Sequence, residues 1–467
     1  MATYNAFTNQ MIYVFFWLAG YGFLAGVLLS DRIQRSVSKQ SRKIIACITL
    51  TVSLVIQLLI ARFGKANDVD LGFFIHWGQT LADGGFYHFY SQVSFSDYPP
   101  GYFPVLWLLA KMQQCFSLQQ TQVIYFLFKL PCILLLILAA VWIGRRSLKQ
   151  NKSMSREQLC ALALCAFSPC LWADIMWGQL DIVLSLLLAA SLWFLTCNQP
   201  IPSALLFTLG FLVKPQGILM TPVYLCYIAK EVVCAIRKKQ WNPLPGIAVG
   251  LVGSFALYTF FTMLFDRAKG NFWWILQLYF DDVNSYSMAS LGAFNFYGFL
   301  GQVGKGTNVM IGFLTADHFS TLMIGVGVVL SAFICFVRKD AFRYLSGACV
   351  LYIWIYTFAV KMHERYLAPV ILPLILLYVL SRKKFHVSIV LALSGACTVS
   401  IMRALISYWQ NINTDNVACS IVFSGVELFA ALVFTAYELW PGIRQVRTWV
   451  VKTSLDPDHI KELVKTE

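Results

Sequence analysis

The segment Gly101-Tyr102-Phe103-Pro104-Val105-Leu106-Trp107-Leu108-Leu109-Ala110-Lys111-Met112 decides how the rest of the chain threads. It is apolar enough to suggest a membrane crossing, but it is short and carries Lys111. Counting it as a crossing throws Arg145-Arg146 to the opposite side of the membrane from the other basic clusters. Placing it flat at the interface, as an amphipathic helix, keeps every cluster on one side.

Of the 467 residues, 58% are hydrophobic and 12% are charged, well below the roughly one quarter charged residues of a soluble domain. Runs such as Met11–Leu29, Ile44–Ala61, Val123–Gly144 and Ala418–Leu439 approach the roughly 20 apolar residues that span a bilayer. The first run has no basic leader and is followed by Asp31-Arg32, so it reads as a retained helix rather than a cleaved signal. The net charge of +14 does not form a nucleic-acid patch. Most of the Lys and Arg fall in six short clusters between apolar spans: Arg32–Lys43, Arg145–Arg156, Arg237–Lys239, Arg338–Arg343, Arg382–Lys384 and Arg444–Lys465. The 13 cysteines are scattered without metal or CxxC spacing, so no thiol chemistry is expected.

The expected fold is all-α and polytopic, with about thirteen transmembrane helices. They are placed at 11–30, 44–62, 122–144, 157–175, 180–197, 201–213, 218–234, 245–265, 319–337, 343–361, 366–380, 387–406 and 418–439. The regions are N-terminal helices (1–62), an external loop with interfacial helices (63–121), a transmembrane core (122–265), a second external loop (266–318), C-terminal helices (319–440) and a cytoplasmic tail (441–467). The N-terminus lies outside under this threading.

The polar residues that break the charge bias then share one face. They are Asn67-Asp68-Val69-Asp70-Leu71-Gly72-Phe73-Phe74 with His76 and Trp77, the rigid Asp97-Tyr98-Pro99-Pro100-Gly101-Tyr102, Trp177-Gly178-Gln179-Leu180-Asp181, Lys214-Pro215-Gln216, and His363-Glu364-Arg365-Tyr366. Acids beside apolar spans are costly unless they face water or a polar cavity. A carboxylate can act as a general base, Arg and Lys can hold phosphate, and Trp and Tyr can floor a sugar site. No Gly-rich nucleotide loop is present. The combination describes a transferase using a lipid-phosphate-linked sugar, with the bilayer and a lipid or glycan acceptor as its other partners.

Each residue also has a structural reading. Asp68 and Asp70 could end a helix in solvent, Asp97 could form an Asx turn, and Asp181 could cap a helix. Lys214 could snorkel, Glu364 could pair with Arg365, and His76 and His363 could pack. Trp77, Trp177 and Tyr102 could be interfacial belt aromatics. Lys129 and Arg403, within or near spans, have no assigned role. Asp68-x-Asp70 leaves a divalent cation open, without establishing one.

Asp70-Leu71-Gly72-x-Phe74-x-x-Trp77, then Leu81-Ala82-x-x-Gly85-Phe86-Tyr87, then Phe95-x-Asp97-Tyr98-Pro99-Pro100-Gly101-Tyr102 resemble the first external loop of bacterial GT-C glycosyltransferases. The similarity is to the group related to the second mannosyltransferase of GPI-anchor synthesis. The Trp177–Asp181, Lys214–Gln216 and Met362–Leu367 strings agree in order. Ala293–Gly298 is also similar, with Tyr297 where the family usually has Trp.

The resemblance implies an inverting transferase with a polyprenyl-phosphate sugar donor, a hexose with mannose favoured, acting at the outer face. Asp70 matches the first-loop acid, with Asp68 as the competitor. Lys214, His363 and Arg365 would approach the donor phosphate, and Gln179 and Asp181 would shape the cavity floor or acceptor side. Glu364, Asp97, Tyr98, Trp77, His76 and Tyr102 are further substrate-binding candidates. A bacterial plasma membrane is expected, or an endoplasmic reticulum membrane in a eukaryote. The rival readings are a lipid or solute transporter with an external vestibule and a non-catalytic glycolipid-binding subunit.

Overall fold

Long apolar runs fold as helices because, in hydrocarbon, each backbone N–H and C=O must find its partner within the segment. A computed structural model describes residues 2–30, 37–146, 154–239, 241–268, 271–411 and 417–455. Asp31, Arg32, Arg35, Lys149, Lys152, Lys269, Lys461, Lys465 and the end of the tail from 456 lie outside the described residues.

The main helices are α1 (Ala2–Leu29), α2 (Lys39–Phe63), α3 (Asp68–Gly84), α4 (Phe103–Cys115), α5 (Thr121–Gly144), α6 (Arg156–Ala166), α7 (Pro169–Trp177), α8 (Asp181–Thr196) and α9 (Pro200–Val213). They continue with α10 (Thr221–Lys238), α11 (Pro243–Met263), α12 (Trp274–Ser285), α13 (Ala316–Val337), α14 (Arg343–Phe358), α15 (Ile371–Ser381), α16 (Lys384–Gln410) and α17 (Val417–Leu455). Each of the thirteen expected helices has a counterpart, and the protein is an all-α, multi-pass membrane protein. Nine candidate spans among the described residues are long and apolar enough to cross a bilayer, and Asp181–Thr196, Pro200–Val213 and Ala368–Ser381 are shorter apolar helices.

Two boundaries differ from the reading of the sequence. The expected helix 157–175 breaks between α6 and α7, where Ser168 takes ψ 113° ahead of Pro169. Proline disfavours the helical conformation of the residue before it and cannot donate to the preceding turn. The second difference is that α17 does not end near 440. It runs through Pro441 to Leu455, so no break separates the last span from the start of the tail.

Packing separates inner helices from outer ones. The most apolar window is 89% buried in Arg156–Trp177 and 78% in Lys384–Gln410, against 17% in Gln10–Leu29 and 22% in Lys39–Phe63. The α14 side chains from Tyr344 to Phe358 are all buried. An inner helix can be short because neighbouring helices, rather than lipid, surround it.

The segment between α2 and α5 forms α3 and α4, which pack on each other. A side chain at Gly78 would meet the Leu106 carbonyl at 2.8 Å, so only glycine permits this crossing. The second loop returns to the bundle through β1 (Ser290–Leu291), which pairs in parallel with β4 (Met362–His363). A separate antiparallel pair joins β2 (Met310–Ile311) to β3 (Leu314–Thr315). Elsewhere, Arg338 is only 2% exposed and contacts Asp340 at 2.6 Å. It also pairs with Glu438 of α17, and His386 of α16 reaches the same carboxylate at 2.8 Å. This part of the basic pattern is a buried clamp, not a solvated cluster.

Candidate active site

α3 starts where Asn67 caps it, its side-chain oxygen accepting from the Val69 and Asp70 amides at 3.1 Å each. Both aspartates therefore stand in the first turn, where carboxylates favour the helix dipole. Two residues apart on a helix, they do not share a face. Asp68 is exposed and lies against Tyr125 and Lys129 of α5. Asp70 turns the other way, into a cavity of about 370 Å³.

Asp70 Oδ2 accepts from Trp177 Nε1 at 2.8 Å and from Gln179 Nε2 at 2.5 Å. These donors come from the turn between α7 and α8. Gly178 makes that turn with φ +99°, and a side chain there would meet Leu71 at 3.1 Å. Glycine is required twice over, for the left-handed backbone and for the close approach of α3. The Asn67 amide donates to the Trp177 carbonyl at 3.2 Å, which ties the cap of α3 to the same turn.

The Asp97–Tyr102 segment supplies the adjoining wall. Tyr98 donates to Gln179 Oε1 at 2.7 Å. Trp77, 1% exposed, donates to the Phe95 carbonyl at 2.9 Å and packs on Phe73, Phe74 and Tyr98. A side chain at Gly101 would meet the Leu212 carbonyl at 2.5 Å, so this loop sits directly on the end of α9, two residues before Lys214. Burial raises the Asp97 carboxyl above the usual range, against the pull of Arg365 and Lys214. Burial also pushes the Tyr98 phenol well above its usual range, so it stays a neutral donor.

The positive charge comes from the stretch after β4. Arg365 lies 3.7 Å from Asp70 Oδ2, 2.7 Å from Glu364 Oε1 and 3.9 Å from Asp181 Oδ2. Its guanidinium covers the Trp177 ring at 5.2 Å. Burial works against ionisation of Glu364, but His363 and Arg365 overcome it and hold the carboxyl down to about 2. His363 meets the Tyr286 ring edge-on at 5.1 Å. Tyr286 of the second loop lines the cavity and was not singled out from sequence. The signal available for it was the aromatic character of that loop.

Among the thirteen sequence candidates, Asp70, Trp77, Asp97, Tyr98, Gln179, His363, Glu364 and Arg365 line the cavity. The other five lie elsewhere. Asp68 is on the far side of α3, His76 is exposed outside the cavity, and Tyr102 is buried near Cys132 of α5. Lys214 and Asp181 form an ion pair at 2.7 Å behind the wall, 2% and 0% exposed. Lys214 therefore faces Asp181 and does not line the cavity. Its ammonium is held against Asp181 and between the Tyr98 and Tyr366 rings, at 5.9 and 5.7 Å. Among the cavity-lining residues, Arg365 is the fixed cation.

The divergence of Asp68 and Asp70 also separates the two carboxylates of the proposed chelate. Among the described residues no group of three His, Cys, Asp or Glu side chains is disposed to hold a metal ion. Lys129 is buried opposite Asp68, and Arg403 stacks over the Phe294 ring at 5.5 Å.

The model of glycosyltransferase family 87 matches residues 95–363. The chain belongs to glycosyltransferase family 87. The family stretch runs from the Phe95 wall to His363 and takes in Gln179 and Lys214. Asp70 and Arg365 fall outside it and are brought to it by the fold. Membership bears out the reading of the chain as a membrane glycosyltransferase of the GT-C kind. It does not extend to the likeness with the second GPI mannosyltransferase.

A solved structure of ArnT from Cupriavidus metallidurans, bound to undecaprenyl phosphate, is similar to this family 87 chain. The two are 14% identical, with 86% of this chain and 77% of that chain covered and a TM-score of 0.46. No curated protein sequence matches the chain.

Proposed function

We propose that this family 87 protein transfers a hexose, with mannose favoured, from a polyprenyl-phosphate carrier to a hydroxyl of a lipid or glycan acceptor. The reaction is a single displacement that inverts the anomeric centre. Asp70 takes the proton of the acceptor hydroxyl as the acceptor oxygen bonds to C1 of the sugar. The bond from C1 to the phosphate oxygen breaks, and its electron pair leaves with the lipid phosphate. Arg365 faces that developing charge, and charge-assisted contacts of this kind are the strong ones.

The observation that carries the reading is the placement of Asp70. It is an ionisable carboxylate on a cavity wall, held by two N–H donors, with a guanidinium 3.7 Å away. Trp77 and its aromatic neighbours give the cavity the apolar floor that a sugar ring needs. The grouping of these residues at one end of the bundle supports a site at a membrane surface, outward-facing in a bacterial plasma membrane.

The test is transfer of radiolabelled sugar from a panel of polyprenyl-phosphate hexoses to membrane lipid and glycan acceptors. Loss of a general base costs about 10²–10⁴-fold in rate, so incorporation should be abolished in Asp70→Asn and kept in Asp68→Asn. Wild-type rates in Asp70→Asn would sink the mechanism and favour a glycolipid-binding subunit.

A further inference from the structure

Asp70 has two carboxylate oxygens, and the fold treats them differently. Its contacts with the described residues all fall on Oδ2, from Trp177, Gln179 and Arg365. Trp177 has a single N–H to give and no ambiguity. Gln179 does not share that property, because a primary amide can turn end for end and present oxygen where nitrogen is wanted. A carbonyl oxygen turned toward Asp70 would repel it.

The Asp70 carboxylate only accepts, so it selects the Nε2 end, and Tyr98 supports that orientation by donating to Gln179 Oε1 at 2.7 Å. The tyrosine is itself held in place. Its ring meets Phe74 edge-on at 5.3 Å, its carbonyl accepts from Tyr90 at 2.9 Å, and Pro99-Pro100 stiffens the chain that follows. Gln179 is 2% exposed and Tyr98 9% exposed. Both polar ends are committed to each other and to Asp70, not extended toward a ligand.

We propose that Tyr98 and Gln179 are positioning residues, a relay that occupies Asp70 Oδ2 and leaves Oδ1 to take the acceptor proton. The inference rests on the transferase reading of this site. It reassigns two residues expected from sequence to touch substrate. It also gives the Asp97–Tyr102 loop and the Trp177–Asp181 turn one shared task, although neither supplies the base.

The relay has a consequence that a packing role lacks. In Gln179→Glu, Tyr98 can still donate to one oxygen of the introduced carboxylate. The other oxygen then faces Asp70 Oδ2, and two carboxylates at hydrogen-bond distance settle only with a proton between them. Transfer by this variant should therefore depend on holding that shared proton.

The experiment uses the full-length protein in lipid nanodiscs, with the polyprenyl-phosphate hexose that wild type turns over. Kinetics are measured for Tyr98→Phe, Gln179→Leu, the double variant and Gln179→Glu, each with its thermal unfolding midpoint. For a misplaced base, kcat should fall about tenfold in each single variant, with KM within about twofold of wild type. The double variant should be no slower than the slower single, because both act through one carboxylate. Gln179→Glu should have its optimum at lower pH than wild type.

A raised KM with unchanged kcat, multiplying losses in the double variant, or a wild-type pH profile in Gln179→Glu would each overturn the relay. Asp70→Asn in the same preparation separates the two levels of the argument. If it still transfers sugar, the assignment of the base fails. If it is inactive while the relay variants match wild type, only the relay fails. Tyr98→Phe and Gln179→Glu nearly preserve volume, and the profile of Gln179→Glu is read against its own maximum even if the fold is weakened.

Discussion

Lys214 and Asp181 meet at 2.7 Å behind the cavity wall, the lysine 2% exposed and the aspartate fully buried. Asp181 Oδ2 in turn lies 3.9 Å from Arg365 Nε. The pair backs Arg365 from behind, with Asp181 opening α8 and Lys214 following the end of α9. Breaking it from one side leaves an uncompensated buried charge, which costs about 3–5 kcal/mol. Lys214→Ala should therefore unfold at markedly lower temperature, with Lys214→Met/Asp181→Leu recovering most of the loss. Calorimetry or a fluorescence melt in detergent checks this, and a double variant as unstable as Lys214→Ala would count against it.

In the proposed reaction Arg365 meets the phosphate with a planar fork, a geometry lysine does not offer. Arg365→Lys keeps the charge but gives up the stacking on Trp177 and the 2.7 Å contact with Glu364. Transfer should fall by about 10–100-fold in kcat/KM, the range expected when a charged contact worth 1.5–3 kcal/mol is lost. Steady-state kinetics with varied donor measure it. Near-wild-type efficiency would remove Arg365 from the phosphate site.

Gly178 and Gly101 hold the turns that deliver Gln179 and Tyr98. Gly178→Ala must adopt φ +99° and push on Leu71, and Gly101→Ala meets backbone at 2.5 Å. Strain of this kind costs about 1–3 kcal/mol. Both variants should melt earlier and transfer more slowly. Gly72→Ala, inside α3 and with nothing within 4 Å of its added methyl, is the control that should lower neither midpoint nor rate.

Asp97 carries a pH signature. Burial raises its carboxyl in the folded protein above the unfolded value of 3.8. The folded state thus keeps this proton longer than the unfolded chain does. Its contribution is fully present below the unfolded value and is lost as pH rises through the folded one. Asp97→Asn, which stays neutral, should match wild type near pH 4 and melt at a higher temperature than wild type at pH 8. Glu364 runs the other way. Its stabilisation is lost only as pH falls from 4.5 toward about 2, outside that window. Equal midpoints at pH 8 would show that Asp97 ionises without cost.

Asp68 offers a negative prediction. It faces Tyr125 and Lys129 rather than the cavity, so Asp68→Asn should retain transfer within about threefold of wild type. A loss as large as that of Asp70→Asn, in a protein of normal stability, would return the base to position 68.

The sequence alone determined the class of fold and the set of motifs. Apolar run length, basic clusters and ordered strings are local properties, readable because a span or a turn is specified by consecutive residues. The interfacial reading of 101–118 rests on where the charges had to lie. Local reading stopped at Ser168-Pro169 and at Pro441, where the same residue type ends one helix and is accepted within another.

The tertiary structure decided which side chains meet. Sequence favours Asp70 over Asp68 only by resemblance; the phase of α3, set by the Asn67 cap, sends them to different neighbours. Lys214 reads as a phosphate ligand in sequence, and the fold sets Asp181 of α8 against it. Arg365, Gln179 and Tyr98 sit far from Asp70 along the chain and reach it only through loop closure at one end of the bundle. The physical reason is that burial and pairing are set by the elements packed around a residue, not by the residues beside it in sequence.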